Sequence, residues 1–317
     1  MSTALVTGAG GFVGANLARH LAGLGHVVVA THRPGFTPWR LDDHGLLGRV
    51  RLLPLDLEDL DAVECVATAE RPDWIFHLAA HGAYSWQGDL SRMLAVNVAC
   101  TDTLLNVARK LGARFVYAGS SSEYGFADHP PSEDECLQPN SHYAVTKAAG
   151  THLCRLASAQ HAQHAVVLRL YSVYGPWEEP GRLIPTLLKS ALEGRWPPLV
   201  SRDVARDFVW VGDVCDAFVR AAEYEPVSEP YVFNIGSGVQ TRIDELVDIV
   251  RDEFKVDVAA EWGTMEDRGW DTTCWLADPA RAAGELGWQS STSLRDGLSQ
   301  MGSWLVSRHT CEHQDAS

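Results

Sequence analysis

Short runs of β-favouring apolar residues alternate with helical stretches over roughly the first 170 residues of the chain. This alternation is typical of a parallel sheet, because the crossover between two parallel strands is usually a helix that packs on the sheet. The segments that read as strands are Ala4–Thr7, Val27–Thr31, Arg51–Leu55, Trp74–Leu78, Phe115–Ala118 and Val166–Leu170.

Apolar residues at helical spacing separate these strands. The first such stripe repeats every three or four residues and would lay one apolar face on the sheet. It comprises Val13, Leu17, Leu21 and Leu24. A longer helix is predicted before the fifth strand, from an apolar series that begins at Met93 and ends at Ala108. The pattern therefore predicts an α/β fold with a Rossmann-type doubly wound parallel sheet.

The pattern loosens after Pro176, where several prolines interrupt the chain and helices resume near Leu183–Glu193, Asp213–Glu223 and Ile243–Phe254. We expect residues 1–175 to form a dinucleotide-binding domain and residues 176–308 to form mainly a smaller α/β substrate-binding lobe. The strand-like segments Asp207–Val211 and Val232–Ile235 could return to the main sheet, so the first domain has expected returns near 205–240 and 275–290. Residues 309–317 are polar and read as a frayed tail.

Composition and charge narrow the classes of partner. The chain has 317 residues, 46% hydrophobic and 21% charged, with a formal net charge of −15. Such a charge argues against nucleic acid, because binding to the phosphate backbone needs clustered cations. No basic signal segment and no apolar stretch of about 20 residues is present, so we expect a cytoplasmic protein without a membrane partner. The seven cysteines are scattered without C-x-x-C spacing, which suggests neither a disulfide framework nor a metal site.

Glycines at 8, 11 and 14 follow the first strand and open the first helix. Glycine allows a tight turn and lets the backbone approach a pyrophosphate, while the helix N-terminus presents free N–H groups to the anion. The loop therefore predicts a nicotinamide dinucleotide site. After the second strand no carboxylate precedes Asp42, and Arg33 is placed to bind the 2′-phosphate of NADP, so NADP(H) is preferred and NAD(H) remains open. Asp56 either binds the adenine amino group or caps its own loop.

Tyr143 and Lys147 are four residues apart and would share one face of a helix after the fifth strand. An ammonium near the phenol lowers the pKa of the tyrosine, so the phenol can exchange a proton with a sugar oxygen. The loop Ser120–Gly125 follows the fifth strand at its C-terminal end, where open α/β sheets bind ligands. One of its serines can hydrogen-bond the same sugar oxygen.

These residues together resemble the extended short-chain dehydrogenase/reductase family of nucleotide-sugar epimerases, dehydratases and reductases. The similarity runs through Thr7–Gly14, His77–Ala80, Asn97–Val98, Ser120–Gly125, Tyr143–Lys147, Arg169–Pro176, Arg206–Val214, Asn234–Gly238 and Arg268–Asp278. It implies a catalytic triad of Ser121, Tyr143 and Lys147, and an interface between two copies through the helices that contain Asn97 and Tyr143. The implied cofactor contacts, together with those read from the loops above, are Gly8, Gly11, Phe12, Val13, Arg33, Asp56, Leu57, Leu78, Ala79, Ala80, Asn97, Tyr143, Lys147, Tyr171 and Val173. The implied substrate contacts are Ser122, Glu123, Ser172, Arg182, Arg206 and Arg268, of which the last two arginines would hold the pyrophosphate.

Two departures from the family pattern direct the choice of reaction. Ser172 stands where the family usually has asparagine, and the serine loop resembles the shorter loop of GDP-4-keto-6-deoxymannose reductases and related 4-ketoreductases. Our leading hypothesis is therefore NADPH-dependent reduction of the C4 ketone of a nucleotide-linked 4-keto-6-deoxyhexose.

Two alternatives remain open. The first is a redox-neutral 4-epimerase, or a 4,6-dehydratase with Glu123 as the base at C5, either of which would keep NAD(P) bound. The second is a non-catalytic regulator on the same fold, which would not need the tyrosine and lysine that this chain retains. The base and sugar of the substrate depend on Ser85–Gln87, Pro176–Arg182 and Leu187–Arg202, where the sequence has no diagnostic pattern.

Overall fold

The computed structural model describes residues 1–41, 49–84, 86–225, 231–265 and 272–314, with only the backbone described for 309–314. Its main feature is a seven-stranded parallel sheet in the order β3-β2-β1-β4-β5-β6-β9. The strands of this sheet are β1 Thr3–Thr7, β2 Val27–His32, β3 Val50–Pro54, β4 Trp74–His77, β5 Arg114–Ser120, β6 Ala165–Leu170 and β9 Val232–Ile235. The predicted doubly wound Rossmann-type fold is confirmed.

Helices cover both faces of the sheet, which explains why its central strands are apolar on both sides. Trp74–His77 is buried at every position, and β1, β2 and β5 are buried at most of theirs. The helices of this part of the chain are α1 Phe12–Gly23, α2 Leu60–Glu70, α3 Leu90–Leu94, α4 Cys100–Leu111, α5 His142–His161 and α7 Val211–Glu223. A π-helical turn at Ala95–Ala99 joins α3 to α4, and a short 3-10 helix at Ser121–Tyr124 follows β5.

Each face of the sheet has its own apolar core. On one face, Leu17 and Leu21 of α1 pack with Phe218 of α7 against the sheet. On the other face, Leu104 of α4 and Cys154 of α5 pack against the sheet. All five side chains are fully buried. Because helices cover both faces of the sheet, the central strands β1 and β4 are buried on both sides.

A second, smaller sheet lies beside the first in the order β10-β8-β7, with β7 Ser172–Tyr174, β8 Ala205–Trp210 and β10 Gln240–Arg242. Helices α6 Leu183–Leu192, α8 Ile243–Phe254 and α10 Leu294–Gln314 surround a third apolar cluster that includes Leu187 and Leu246. The remaining helix, α9, spans Ala280–Glu285. Of the two segments that could return to the main sheet, Val232–Ile235 pairs with β6, whereas the strand at Ala205–Trp210 belongs to the second sheet.

Within the described part of the chain, no helix combines the length and the apolarity needed to cross a bilayer.

Candidate active site

The predicted site residues gather at one edge of the main sheet, because parallel strands all end on the same side. The glycine loop follows β1, Arg33 follows β2, Asp56 and Leu57 follow β3, and Leu78–Ala80 follows β4. Ser120 ends β5, and Tyr171–Val173 continues from the end of β6 into β7. Phe12 and Val13 begin α1, which starts at the same edge, and both are half-buried.

The glycine loop has the close backbone contacts that a dinucleotide site requires. Gly8 has φ +72°, and a Cβ there would come 2.6 Å from the backbone nitrogen of Ala79 at the end of β4. A Cβ at Gly14 would overlap the carbonyl oxygen of Gly8. Gly11 is the N-cap of α1 and has no side chain that could occupy the helix N-terminus. The loop therefore fits a pyrophosphate, which would accept hydrogen bonds from this helix end.

The region after β2 and β3 is more open. Arg33 is exposed, so its guanidinium is accessible to a 2′-phosphate. Asp56 is also exposed, and its Oδ1 accepts a hydrogen bond of 3.1 Å from the backbone N–H of Glu58. Asp56 thus caps its own turn, which is the alternative that the sequence leaves open for it.

Tyr143 lies in the first turn of α5 and contacts the end of β5. Ser141 caps this helix by accepting a 3.2 Å hydrogen bond from the N–H of Ala144. The half-buried phenol faces the hydroxyl of Ser120, whose Oγ is 2.8 Å from that of Ser122. Burial raises the pKa of Tyr143 to about 12, and the Ser120 hydrogen bond acts in the opposite direction.

Ser120 is the serine that faces the phenol in the structure. Ser120 ends β5 with extended backbone, whereas Ser121, the serine that the family resemblance indicates, begins the 3-10 helix and is buried. The change of backbone direction between the two residues explains why their side chains differ in position. Ser122, a predicted substrate contact, remains half-buried beside Ser120.

Lys147 is fully buried one turn after Tyr143, with its Nζ 4.1 Å from the ring centroid of Tyr117. Burial lowers the pKa of Lys147 to about 8, although the nearby charge of Glu123 acts to raise it. The side chain can therefore carry its charge at neutral pH. An ammonium on the same helix face as Tyr143 favours the phenolate form.

Glu123, the predicted substrate contact and candidate dehydratase base, is turned into the protein. Its side chain is 0% exposed and points back under the end of β5. Oε1 accepts a 2.8 Å hydrogen bond from the N–H of Ser120. Oε2 accepts hydrogen bonds from Thr151 at 2.8 Å and from Arg169 at 3.0 Å, the latter as a buried ion pair. Glu123 thus fastens the serine loop to α5 and β6.

Asn97, a predicted cofactor contact, is also fully buried. Its Oδ1 accepts a 2.8 Å hydrogen bond from the N–H of His81, and its Nδ2 donates to the His81 carbonyl at 2.8 Å and to Thr146 at 2.9 Å. These bonds engage both N–H donors of the amide. The π-helical turn thereby ties the segment after β4 to α5, between Tyr143 and Lys147.

The predicted substrate residues lie on the small-lobe side of the same edge. Ser172 is half-buried on β7 and pairs with Phe208 of β8, two residues after the half-buried Arg206. Arg182 is exposed at the N-cap of α6, and its charge acts to lower the pKa of Tyr143. Arg268 lies outside the described residues.

The structure adds two side chains that the sequence pattern did not indicate. Arg40 is 4% exposed and donates hydrogen bonds to the Gly10 carbonyl at 3.2 Å, the Trp177 carbonyl at 2.7 Å and the Glu179 carboxylate at 2.7 Å. Glu178 lies between Trp177 and Glu179, the two residues that Arg40 binds. It is buried, and one of its carboxyl oxygens has no hydrogen-bond partner among the described residues. Neither residue belongs to a periodic pattern or motif, so no sequence signal distinguishes them from surface charges.

Comparisons with known proteins agree with this arrangement. The family model described as the NAD dependent epimerase/dehydratase family matches residues 4–236. A Bacillus subtilis (strain 168) protein named as an uncharacterized UDP-glucose epimerase, YtcB, is 30% identical over 97% of this chain and 99% of its own length. The dTDP-glucose 4,6-dehydratase of Streptomyces griseus is 32% identical over 95% of this chain and 93% of its own.

A solved structure gives the same picture. The UDP-glucuronic acid 4-epimerase from Bacillus cereus, in complex with UDP-glucuronic acid and NAD, is 27% identical with a TM-score of 0.83. The match covers 96% of this chain and 99% of that one.

Proposed function

Since the chain belongs to the NAD dependent epimerase/dehydratase family of nucleotide-sugar enzymes, we propose that it interconverts C4 epimers of a nucleotide-linked hexose, with a bound NAD. The contact of Ser120 with Tyr143, at the sheet edge that carries the glycine loop, is the observation that supports this reaction most directly. It provides a proton-transfer group and a hydrogen-bond partner for one sugar oxygen.

The roles of the chain's own residues follow from their positions. The phenolate of Tyr143 removes the proton of the C4 hydroxyl, and Tyr143 returns it when the ketone is reduced again. The hydroxyl of Ser120 hydrogen-bonds the same oxygen, and the ammonium of Lys147 lowers the cost of the phenolate. NAD, held at the glycine loop, would supply the hydride acceptor and donor for C4, so the reaction would consume no reductant.

The surroundings of Glu123 favour an epimerase over a dehydratase. A 4,6-dehydratase needs a base at C5, and Glu123 is the residue of the serine loop that could serve. Both of its carboxylate oxygens accept hydrogen bonds inside the protein, and its side chain is fully buried. Breaking a buried ion pair to free this base would cost about 3–5 kcal/mol.

Reduction of a 4-keto-6-deoxyhexose, our leading hypothesis from the sequence, receives no specific support from the comparisons. The two relatives described above are named as an epimerase and a dehydratase, and the solved structure is an epimerase. The redox-neutral alternative is supported better, and our proposal follows it.

The proposed cofactor changes for the same reason. NAD is bound in the Bacillus cereus structure, and it is the cofactor named in the description of the family. Arg33 nevertheless remains an exposed cation at the end of β2, and it is the residue that would favour NADP. Extraction of the purified protein, followed by mass identification of the released dinucleotide, distinguishes the two cofactors.

The experiment for the reaction is incubation with UDP-glucose, and in parallel with dTDP-glucose, without any added cofactor. We expect the C4 epimer to accumulate toward equilibrium while the nicotinamide absorbance stays constant. Formation of a 4-keto-6-deoxy product would indicate a dehydratase. Turnover that requires NADPH in stoichiometric amounts, on a 4-keto-6-deoxy substrate, would restore the reductase hypothesis.

A further inference from the structure

His77 is a fully buried histidine at the sheet edge where the site residues gather, and it has no role in the proposed chemistry. It ends β4, and its Nδ1 lies 2.7 Å from the hydroxyl of Thr7, the last residue of β1 before the glycine loop. Its Nε2 lies 3.0 Å from the hydroxyl of Thr101, in the first turn of α4. The ring therefore joins the strand that leads into the glycine loop to the helix that follows the π-helical turn.

The partners of this ring decide which nitrogen carries its proton. The hydroxyl of Thr101 donates its only hydrogen to the carbonyl of Asn97 at 2.8 Å, so toward His77 it can only accept. Nε2 of His77 therefore carries the proton, and the bare Nδ1 accepts the hydroxyl hydrogen of Thr7. Burial, together with the charge of Lys147, lowers the pKa of His77 to about 3, so the ring is neutral at pH 7. His77 thus has one defined tautomer.

The hydrogen bonds continue from Asn97 into the helix that carries the catalytic tyrosine. The Oδ1 of Asn97 accepts a hydrogen bond from the N–H of His81, so its Nδ2 is the atom that donates to the hydroxyl of Thr146 at 2.9 Å. That hydroxyl donates to the carbonyl of Tyr143 at 2.9 Å. Each hydrogen bond of this series donates toward α5, and hydrogen bonds aligned in one direction strengthen one another. The series is one continuous network from the end of β1 to the backbone of Tyr143.

We propose that His77 and Thr101 are positioning residues, which fix the catalytic tyrosine relative to the glycine loop through this network. Both side chains are 0% exposed, so they act through the residues that they bind and not by contact with the sugar. The inference rests on the proposed function, in which the phenol and the dinucleotide must reach C4 and its oxygen together. In such a geometry a misplacement of about 1 Å can cost about 10²-fold in rate.

Nuclear magnetic resonance of ¹⁵N-labelled histidine tests the network in the purified wild-type protein without any substrate. The ring shifts of His77, assigned by their loss in His77→Gln, distinguish the two neutral tautomers and the charged ring. We expect the Nε2–H tautomer from about pH 6 to 9. An Nδ1–H tautomer, or a charged ring at pH 7, would contradict the direction of the hydrogen bonds and overturn the inference.

Three variants test whether the network positions Tyr143. Thr101→Val keeps the shape of the side chain but removes the hydroxyl, whereas Thr101→Ser keeps the hydroxyl. Ser158→Ala is the control, because it removes a buried hydroxyl near the other end of α5, where Ser158 donates to the carbonyl of Ala165. In protein with ¹³C-labelled tyrosine, the Cζ signal that Tyr143→Phe lacks should shift in Thr101→Val. It should keep its wild-type position in Thr101→Ser and Ser158→Ala.

The same variants separate positioning from stability in the epimerisation of UDP-glucose. Thr101→Val should lower kcat about 10- to 100-fold and change KM by less than about twofold, because the groups that bind the sugar are untouched. Thr101→Ser and Ser158→Ala should keep kcat within about twofold of wild type. Should Thr101→Val fail to fold, the smaller Thr101→Ala takes its place with the same expected results.

Two results with these variants would overturn the inference. The first is an unchanged kcat in Thr101→Val, with or without a shift of the Tyr143 signal. The second is an equal loss of kcat in Ser158→Ala, which would indicate a general effect of lost stability. In both cases the proposed epimerase function survives. If wild-type protein converts neither UDP-glucose nor dTDP-glucose while the Tyr143 signal responds as expected, the proposed function falls and the link from Thr101 to Tyr143 stands.

Discussion

At the scale of single residues, Tyr143 has the most demanding task. Its pKa of about 12 makes it a weak acid in the protein alone, so the phenolate needs positive charge nearby. In the proposed mechanism Lys147, on the next turn of α5, would supply one such charge, and the oxidised nicotinamide would supply another. The chemistry therefore depends on the phenol oxygen, which phenylalanine lacks.

Tyr143→Phe keeps the ring but removes the acid and base. We expect the rate of sugar interconversion to fall by about 10²- to 10⁴-fold, the usual contribution of general acid–base catalysis. The amount of dinucleotide that co-purifies should stay at the wild-type level. Initial rates and the extracted cofactor measure the two quantities, and a variant with wild-type turnover would remove Tyr143 from the mechanism.

The two serines provide a matched pair. Ser120→Ala removes the hydroxyl that contacts Tyr143 and should lower kcat about tenfold or more, as expected for loss of a hydrogen bond in the site. Ser121→Ala changes a neighbouring hydroxyl that begins the 3-10 helix and should have the smaller effect on kcat. A larger loss for Ser121→Ala would reinstate the serine that the sequence pattern indicates.

Lys147 links catalysis to stability. Its pKa is lowered from 10.5 to about 8, so keeping this buried lysine charged below pH 8 costs the folded protein free energy. That cost disappears as the pH rises through the range between these two values, because the unfolded chain then holds more protons than the folded one.

Lys147→Met should therefore be more stable than wild type at pH 7, by up to about 3 kcal/mol at 1.36 kcal/mol per pKa unit, although inactive. The gain should shrink toward pH 10. Urea unfolding at the two pH values measures it. A variant that is less stable than wild type at pH 7 would show that the charged lysine stabilises the fold.

At the scale of elements, Arg40 joins the glycine loop to the loop that precedes α6. Its guanidinium binds a carbonyl of each loop and the carboxylate of Glu179. Trp177, on the second loop, has φ +65°, and the guanidinium of Arg19 on α1 lies 3.8 Å from its ring centroid. The loop that precedes α6 is thus tied to α1 and to the glycine loop.

Arg40→Met should destabilise the protein by about 2–4 kcal/mol, because it leaves two carbonyls and a partly exposed carboxylate without their donor. It should also lower the fraction of protein that retains its cofactor. Arg33→Met, at an exposed arginine nearby in sequence, should change stability by less than about 0.5 kcal/mol. Equal effects of the two substitutions on unfolding and on retention would show that Arg40 does not couple the loops.

The elements also show where sequence patterns succeed. The six predicted strands of the main sheet are all present, and the inner strands were readable as continuous apolar runs because helices cover both faces of the sheet. The three-residue strands β7 and β10 are too short to produce an alternating pattern. Tyr143 and Lys147 could be paired from their spacing, since helix geometry relates residues four apart.

Other parts of the site depend on contacts that spacing does not encode. Three consecutive serines form no periodic pattern. The position of the last residue of β5 decides which of them faces the phenol. The burial of Glu123 follows from its pairing with Arg169, 46 residues away. Arg40 binds a loop more than 130 residues later in the chain, which no local pattern can indicate.

At the scale of the whole molecule, the proposed reaction makes the enzyme a closed redox system. In that reaction Tyr143 and Ser120 would contact the C4 oxygen of the sugar, at the sheet edge that carries the glycine loop, and the dinucleotide would stay bound. Such an enzyme returns to C4 the same hydrogen that it removes.

UDP-glucose with deuterium at C4 tests this claim most directly, with the product analysed by NMR after incubation without added cofactor. We predict that the epimerised sugar carries the deuterium at C4, undiluted by solvent hydrogen. Deuterium at C6 of a 4-keto-6-deoxy product would identify a dehydratase, and loss of the label to a pool of free cofactor would identify a net oxidoreductase. Either result would contradict the account.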